Sequence, residues 1–305
     1  MSLKKHFLWP KIKISFWSFF GKCSQNKLEQ LFQKMFPSGY PVLCSSGRVA
    51  LYISVKESKL SANDKLKLFP YASQCVINTI SRLTNPVSYD LESPNKICYH
   101  QWGITSSEKN SNPIVEDSVD SLYKKKTPLF SLGANYEIWS LSKILGTSSG
   151  GILWCKHESD AIRIRNKLKG GKWIFTSWIL KLLSLISIYF YEFWEEMEYG
   201  YKGLTLFQRN EIFLKLKLWD KLVADRKEKL KLFIDKSILK DQKINGRFPS
   251  CLPILTDRNE YEIEKMGFSV GLRHYYDGVK LIKVFPLPIH QDLSISFLKN
   301  VLKKI

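Results

Sequence analysis

Two ionisable residues occupy positions at which they could do chemistry together. Asp117 ends the apolar run 113–117, and burying an acid there is costly unless a cation pairs with it. Lys143 lies among small hydroxyl residues, Ser140 and Ser142, and is followed by two glycines at 150 and 151. A lysine amine condenses with an aldehyde, and a serine hydroxyl binds phosphate. One cation that would suit Asp117 is a protonated pyridine nitrogen.

A candidate phosphate-binding turn lies upstream of this pair. Residues 45–48 read SSGR and precede a helix-like run that starts at Val49. A glycine at the start of a helix exposes backbone N–H groups to an anion, and the helix dipole favours negative charge there. Arg48 can add a charge-assisted contact.

Each of these signals also has a commoner structural explanation: a loop acid, a solvated lysine or a helix cap. Taken together, however, an aspartate, a lysine and a phosphate cradle are what pyridoxal 5′-phosphate (PLP) needs. The aspartate keeps the ring nitrogen protonated, and the lysine holds the aldehyde.

The elements that must position these residues alternate along the first two-thirds of the chain. Short runs typical of strands cover residues 41–44, 65–69, 86–90, 96–100, 113–117 and 151–155. Helix-like stretches separate them, for example over 73–82. This alternation predicts an α/β fold with a mostly parallel sheet, in which ligands bind at the carboxyl ends of the strands.

The last third has a different pattern. Residues 206–240 read as one long amphipathic helix, short strands follow around 253–255 and 284–285, and a helix near 293–305 ends the chain. We therefore predict three parts. They are a basic, aromatic N-terminal arm (1–37), a large PLP-binding domain (38–205) and a small C-terminal α+β domain (206–305).

The charge balance narrows the possible partners. The chain of 305 residues has 47 Lys and Arg against 28 Asp and Glu, a net charge of +19. Such a surplus favours nucleic acid, anionic lipid or a phosphorylated substrate. No nucleic-acid-binding module is recognisable, and the six cysteines form no Cys-x-x-Cys pair, so we expect neither nucleic-acid binding nor a metal site. Dispersed cysteines are typical of a reduced, cytoplasmic protein.

Two segments could contact a membrane. Residues 1–22 carry five lysines, several aromatic residues and no acid, which suits an anionic membrane surface. The alternative is an arm packed on the protein or on a partner subunit. Residues 173–191 are long and apolar enough to span a bilayer. The central Lys181 nevertheless favours a buried or interfacial helix, because a charge at mid-span is costly.

Six short motifs occur in the order found in one enzyme family. They read SGRVAL (46–51), PYASQC with PVSYD (70–75 and 86–90), YHQWG (99–103), VEDSVD (115–120), SLSK with Gly-Gly (140–143 and 150–151) and LPIHQD (287–292). In these motifs the chain resembles the DegT/DnrJ/StrS family of PLP-dependent sugar aminotransferases, of fold type I in the aspartate aminotransferase superfamily. The resemblance covers residues 38–155 and, more loosely, 206–300.

The resemblance implies a role for each site residue. Lys143 would hold the cofactor aldehyde and carry protons, and Asp117 would pair with the ring nitrogen. The other cofactor-binding residues that it implies are Ser46, Gly47, Arg48, Tyr71, Gln74, Asp120, Ser140 and Ser142. Two of these depart from the family pattern: Arg48 replaces a small hydroxyl residue, and Asp120 replaces Gln or His. The family's usual Gly-Tyr-Asn-x-Arg segment is not recognisable.

The resemblance also implies a fold and a function. We expect a large mostly parallel α/β/α domain with a small α+β domain. We expect an aminotransferase that moves an amino group, from glutamate, to a keto group of a nucleotide-linked sugar for cell-surface polysaccharide such as O-antigen. Members are homodimers with the active site at the subunit boundary.

Several alternatives stay open. A non-catalytic or divergent relative of the PLP fold could bind a partner or a membrane surface. Sugar dehydratases on the same scaffold lack the lysine, so Lys143 argues against that activity. His100 and His290 read as structural, and His274 could face the substrate.

Overall fold

The computed structural model describes residues 8–106, 112–171, 179–180, 183, 187, 189–190, 199–240, 246–268 and 271–305. Its first two-thirds contain the strands β1 (Tyr40–Cys44), β2 (Lys65–Lys67), β3 (Asn85–Val87), β4 (Ile97–Tyr99), β5 (Val115–Asp117), β6 (Leu122–Tyr123), β7 (Tyr136–Ser140) and β8 (Gly151–Cys155). The helices of that part are α1 (Gln25–Met35), α2 (Gly47–Glu57), α3 (Gln74–Ser81), α4 (Leu141–Leu145) and α5 (Glu158–Lys167).

The last third contains α6 (Leu206–Leu216), α7 (Trp219–Phe233), β9 (Arg247–Phe248), β10 (Cys251–Ile254), α8 (Glu260–Lys265), β11 (Arg273–Tyr276), β12 (Leu281–Pro288) and α9 (Ile295–Leu302). Short 3-10 helices lie at Phe16–Phe19, Gln101–Gly103 and Ile234–Lys236. β10, β12 and β11 form an antiparallel sheet in that order.

The central sheet has the strand order β1-β8-β7-β5-β4. β4, β5 and β7 are parallel neighbours, whereas β8 runs antiparallel to both β7 and β1. A parallel bridge between Lys67 and Lys96 also ties β2 to the chain just before β4. The predicted mostly parallel α/β sheet is therefore confirmed, with β8 as its antiparallel member. Parallel strands place their carboxyl ends at one edge, and the site is built there.

Burial explains why the chain forms this sheet. Every residue of β7 and β8 is buried, as expected for strands covered on both faces. Trp139 and Trp154 lie in the core on one face, with Phe36 and Trp219 packed edge-on or stacked against them. On the other face, α2 and α5 cover a second core of mostly aliphatic residues. Each large side chain buried there stabilises the fold by about 1.5–3 kcal/mol.

The helix predicted over 206–240 is divided into α6 and α7. Leu218, between them, has φ −90° and ψ 0°, which is not helical. The break turns Trp219 into the core, where it is fully buried and its Nε1 donates to the Tyr123 carbonyl oxygen at 2.8 Å. Burial of one large aromatic side chain overrides the helical pattern. The domain limits at 37/38 and 205/206 stay predictions.

The two candidate membrane segments differ in how much of them is described. Residues 8–22, which we call the strap, lie on the protein and contact α6 and the loop after α4. Most of 173–191 lies outside the described residues. Within the described part of the chain, the helices are all too short or too polar to cross a bilayer.

Candidate active site

Adjacent parallel strands bring the predicted pair together. Asp117 ends β5 and Ser140 ends β7, and these strands are hydrogen-bonded neighbours. α4 begins directly after Ser140, so its third residue, Lys143, projects at the same edge of the sheet. Lys143 and Asp117 are close enough for each charge to shift the pKa of the other. The two residues thus share one site.

Asp117 is a buried acid that lacks a close counter-ion. Its side chain accepts a hydrogen bond from the Val119 N–H at 3.1 Å, and no ion pair to it occurs among the described residues. Burial raises the pKa of Asp117 to about 7, although the charge of Lys143 opposes this shift. A protonated ring nitrogen placed against Asp117 would supply the missing cation and return the acid to its charged form.

Asp120 holds the lysine. Its Oδ1 accepts from the Lys143 amine at 3.1 Å and from Trp9 Nε1 at 2.6 Å, and its Oδ2 accepts from the Tyr99 hydroxyl. The Lys143 amine also lies 4.3 Å from the centroid of the Trp9 ring. Burial alone would lower the pKa of Lys143, but the negative charges of Asp120 and Asp117 outweigh it and raise that pKa. Lys143 is therefore an ammonium group in the cofactor-free chain.

The predicted phosphate turn is formed where β1 meets α2. The Ser46 hydroxyl caps α2 by accepting from the Val49 N–H at 3.2 Å. A side chain at Gly151 would put its Cβ 2.3 Å from the Ser46 carbonyl oxygen, so that close approach requires glycine. A Cβ at Gly47 would lie 3.1 Å from the Cβ of Ser140. The turn therefore packs directly on the end of β7.

The donors around this turn suit a phosphate group. Ser140 Oγ and Ser142 Oγ lie 3.0 Å apart, and either can rotate to face an anion. The Ser45 hydroxyl is buried without a hydrogen-bond partner among the described residues. The N-terminus of α2, an eleven-residue helix, adds free N–H groups. Hydroxyls, helix N–H groups and a lysine supply donors, and Asp117 supplies an acceptor for a protonated ring nitrogen, so together these groups fit PLP.

The remaining predicted residues lie on α2 and at or just before the start of α3. Arg48 is half-buried in the first turn of α2. Tyr71 is exposed and stacks on the His274 ring, with centroids 5.1 Å apart. Gln74 is exposed and donates to Asn78 Oδ1 at 2.7 Å. Its neighbour Cys75 is close enough to Lys143 to affect the pKa of the amine, so the start of α3 faces the lysine. The ring-stacking role of Tyr71 or Gln74 stays a prediction.

Sequence reasoning missed two residues of this cluster. Tyr99 stands at the end of β4, beside β5, and its place in the sheet could have indicated it. Trp9 precedes Asp120 by 111 positions in the chain. No local pattern connects these two residues, so only the path of the strap brings Trp9 to the site.

His100 has a structural role in this arrangement. Its Nδ1 accepts from the Ser106 N–H at 3.1 Å, so Nε2 carries the proton and donates to Glu116 Oε2 at 3.0 Å. Burial lowers the pKa of His100 to about 4. The ring is neutral near pH 7 and is occupied by structural hydrogen bonds.

A protein-family model and several solved structures match most of the chain. A protein-family model described as "Putative PLP-dependent aminotransferase" matches residues 28–305. A search of curated proteins found no match. The PLP form of "Putative sugar aminotransferase Spr1654" from Streptococcus pneumoniae has a TM-score of 0.65 at 12% identity, covering 97% of this chain and 96% of that chain. Sugar aminotransferase CalS13 from Micromonospora echinospora has a TM-score of 0.64 at 14% identity, covering 96% and 97%.

A third solved structure is Helicobacter pylori PseC, an aminotransferase involved in the biosynthesis of pseudoaminic acid. It has a TM-score of 0.64 at 13% identity and covers 97% of both chains. At such identities the solved structures establish the fold, and the resemblance to the DegT/DnrJ/StrS sugar aminotransferases is confirmed at that level. The family model, which spans most of the chain, establishes membership. The chain belongs to a family of PLP-dependent aminotransferases.

Proposed function

We propose that the protein transfers an amino group from glutamate to a keto group of a nucleotide-linked sugar, in the synthesis of cell-surface polysaccharide. The observation that carries the proposal is the meeting of Lys143, Asp117 and the phosphate turn at one edge of the sheet. The sugar substrate is supported by the similar solved structures, two of which are named as sugar aminotransferases. The net charge of +19 suits a phosphorylated substrate.

Different residues of the chain would bind the cofactor and transfer the proton. PLP, when bound, supplies an aldehyde that captures amines and a ring that accepts electrons. Asp117 would hold the ring nitrogen by a charge-assisted hydrogen bond. Ser46, Gly47, Ser140 and Ser142 would bind the phosphate. The Lys143 amine would attach the aldehyde and later move a proton between carbon atoms, which requires the amine to lose its own proton first.

Absorbance tests the cofactor part of the proposal. The wild-type protein with PLP should develop the visible band of lysine-bound cofactor, and Lys143→Ala should not. Lys56→Ala, a change at an exposed residue of α2, is the matched control and should behave like the wild type. A wild-type protein that takes up no cofactor would leave the non-catalytic alternative, in which the fold binds a partner or a membrane surface.

The substrate needs a separate assay. Purified protein is supplied with glutamate and, one at a time, with ketosugars carrying a nucleoside diphosphate, a simple phosphate or no phosphate. Transfer only to the nucleotide-linked sugars supports the proposal. Faster transfer to a free sugar, or the absence of any sugar product beside efficient transfer to keto acids, would contradict it.

The assembly state is part of the same proposal. A homodimer with the site at the subunit boundary is implied by the resemblance, and Tyr71, one of the predicted cofactor-binding residues, is 51% exposed in the single chain. Light scattering after size-exclusion chromatography measures the mass directly. A mass equal to one chain of 35.5 kDa would contradict the dimer.

We also propose that the enzyme acts in the cytoplasm, at the surface of an anionic membrane. The six cysteines are free thiols, which suits a reducing compartment. Phe16, Trp17 and Phe20 of the strap are each more than 60% exposed, and the Phe16 ring contacts the other two. Lys11 and Lys22 flank them in the sequence of the strap. An apolar patch on a basic segment is complementary to an anionic bilayer.

Vesicle sedimentation tests this location. The wild type should sediment with vesicles of anionic lipid and remain free with neutral vesicles, and Phe16→Ser/Trp17→Ser/Phe20→Ser should remain free with both. If the triple variant binds vesicles like the wild type, the membrane proposal fails. If it instead breaks the dimer, the patch is a subunit interface and the membrane proposal also fails.

A further inference from the structure

The strap follows one defined path beside the site. The Lys11 N–H donates to Asp292 Oδ2 at 2.7 Å, the Lys13 amine pairs with the same carboxylate, and the Lys13 N–H donates to the Gly146 carbonyl oxygen at 3.3 Å. Gly146 ends α4, which carries Lys143. A Cβ at Gly146 would lie 2.8 Å from the Lys11 carbonyl oxygen, so the strap can pass there only because this residue is glycine.

A second anchor holds the far end of the strap. Asn210 of α6 is 2% exposed, and both the nitrogen and the oxygen of its side-chain amide form hydrogen bonds. Its Nδ2 donates to the carbonyl oxygens of Ser18 and Gly21, at 2.9 and 2.7 Å, and its Oδ1 accepts from the Cys23 N–H at 3.0 Å. A buried, fully bonded amide fixes a backbone path strongly, because each bond lost would leave a buried polar group unsatisfied.

Between its start and these anchors, the strap inserts Trp9 into the site. The indole makes two contacts with the site, its N–H donating to Asp120 and its face lying beside the Lys143 amine, as described above. An aromatic face attracts an ammonium group and also displaces water from one side of it. The Lys143 side chain as a whole is 29% exposed, so the surrounding residues cover it only in part.

We propose that Trp9 is a positioning residue of the active site. Its N–H holds the Asp120 carboxylate on the Lys143 amine, and its ring covers that amine in the cofactor-free protein. The inference deepens the proposed function, since it takes Lys143 as the lysine that attaches the cofactor. The N-terminal strap would then have two roles: Trp9 positions active-site residues, and the exposed aromatic residues Phe16, Trp17 and Phe20 contact the membrane.

Several charged or titratable groups face the Lys143 amine, and each must be considered in a test based on pH. They are Asp117 at the end of β5, Asp120 in the loop after it, Cys75 on α3 and Cys251 on β10. Asp120 in turn accepts a hydrogen bond from the Tyr99 hydroxyl and interacts electrostatically with the buried Arg226 on α7. Only Asp120 bonds the amine directly among the described residues, so its removal should have the largest effect.

The reactivity of Lys143 toward acetic anhydride, measured peptide by peptide with mass spectrometry, tests the proposal on full-length cofactor-free protein. The rate as a function of pH gives two numbers. The midpoint reports how firmly the proton is held, and the limiting rate at high pH reports how well the amine is covered. Asp120→Asn should lower the midpoint by about one unit or more, a tenfold rise in free amine at fixed pH.

The Trp9 variants separate the ring from the N–H: Trp9→Ala and Trp9→Phe both lack the N–H and should lower the midpoint, but only Trp9→Ala also lacks a ring. Trp9→Ala should raise the limiting rate severalfold, whereas Trp9→Phe, which keeps a ring, should keep the wild-type limiting rate. Trp17→Phe, a change at an exposed position of the same strap, is the control and should leave both numbers unchanged. PLP uptake followed by absorbance should likewise be faster in Trp9→Ala than in Trp9→Phe.

Two results would overturn the proposal. One is an unchanged limiting rate in a folded Trp9→Ala protein, with folding verified by its melting transition. The other is equal limiting rates in Trp9→Ala and Trp9→Phe, both raised, since a ring would then give no cover. These outcomes are independent of the proposed function: if Lys143→Ala still takes up PLP, the assigned lysine is wrong while the labelling still measures the cover.

Discussion

Glu116 and Asp117 are neighbours on β5, yet their side chains meet opposite environments. Successive residues of a strand point to opposite faces of the sheet. Glu116 is fully buried and has four hydrogen-bond partners: His100 Nε2, Ser131 Oγ and the N–H groups of Leu132 and Ala134. Asp117 is almost as deeply buried but accepts one side-chain hydrogen bond, from Val119.

The pKa values of the two acids reflect this difference. Burial would raise the pKa of Glu116, but the hydrogen bonds from His100 and Leu132 and the charge of Arg247 outweigh it and lower that pKa. Burial raises the pKa of Asp117 to about 7, because the described residues offer it one hydrogen-bond donor, the Val119 N–H, and no set comparable to that around Glu116. The folded chain thus satisfies Glu116 but not Asp117. We therefore expect the face of the sheet that carries Asp117 to be the one that binds a ligand.

Asp117→Asn should show the largest effect. Above pH 7 the wild-type protein must bury a charged Asp117, and an asparagine avoids this. The folded-state pKa of about 7 exceeds the ordinary 3.8, so the stability contributed by the protonated acid is lost as the pH rises through 7. The variant should gain up to about 4 kcal/mol in unfolding free energy at pH 8 and little at pH 4, and it should bind PLP poorly.

Denaturant unfolding of the cofactor-free proteins at the two pH values measures this difference. Asp257→Asn, at an exposed position, is the control and should give no pH-dependent gain. A less stable Asp117→Asn protein at pH 8 would mean that the wild-type acid is satisfied in the folded chain and would remove the contrast with Glu116.

Glu116→Gln should lower the unfolding free energy, the opposite of the effect expected for Asp117→Asn. The glutamine keeps one acceptor oxygen but presents an NH2 group to donors that already point at it, so at least one buried donor loses its partner. The expected loss is about 3 kcal/mol in unfolding free energy at pH 8. Glu92→Gln, at an exposed residue, is the matched control. An unchanged unfolding free energy in Glu116→Gln would show that the four hydrogen-bond partners contribute little to stability.

His100 should determine much of the change in unfolding free energy with pH below about 6.5. Its folded-state pKa of about 4 lies below the ordinary 6.5, so the unfolded chain binds a proton in this range before the folded chain does. Stability is therefore lost as the pH falls from 6.5 toward 4, by about 2–3 kcal/mol from this group. His100→Gln should flatten that part of the profile, whereas His157→Gln, at an exposed residue, should leave its slope unchanged. An equally steep profile in His100→Gln would assign the acid loss to other groups.

Tyr99→Phe should give the smallest effect on stability. Asp120 keeps the bonds from Trp9 and Lys143 when the Tyr99 hydroxyl is removed, so the cost should be about 1 kcal/mol. Tyr123→Phe, which removes a hydroxyl from Glu137 on the Glu116 side, is the matched comparison. Tyr99→Phe should also change PLP uptake followed by absorbance, and Tyr123→Phe should not. The reverse result would indicate that the ligand binds on the face of the sheet that carries Glu116 and not on the face that carries Asp117.

Much of the fold could be predicted from local patterns. Runs of apolar residues between helical stretches predicted β1, β5 and β8 closely, and the order of the motifs predicted the family fold. The pair Lys143 and Asp117 followed from the chemistry of the two side chains and from the family motifs, whereas β7, the strand that positions Lys143, was not predicted. The division of the predicted long helix at Leu218 could not be predicted, because it depends on burying Trp219 against residues far away in the chain.

The sequence by itself determined most of the strands and helices, and it identified Asp117 and Lys143 as residues that could do chemistry together. These properties depend on hydrophobic periodicity and on residues next to one another in the chain. Only the tertiary structure decided which donors each acid receives. Trp9 and Tyr99 reach Asp120, and His100 and Arg247 reach Glu116, across separations that no local pattern encodes. Packing determines these contacts, because a buried charge is stable only where the folded chain, or a ligand, brings it a partner.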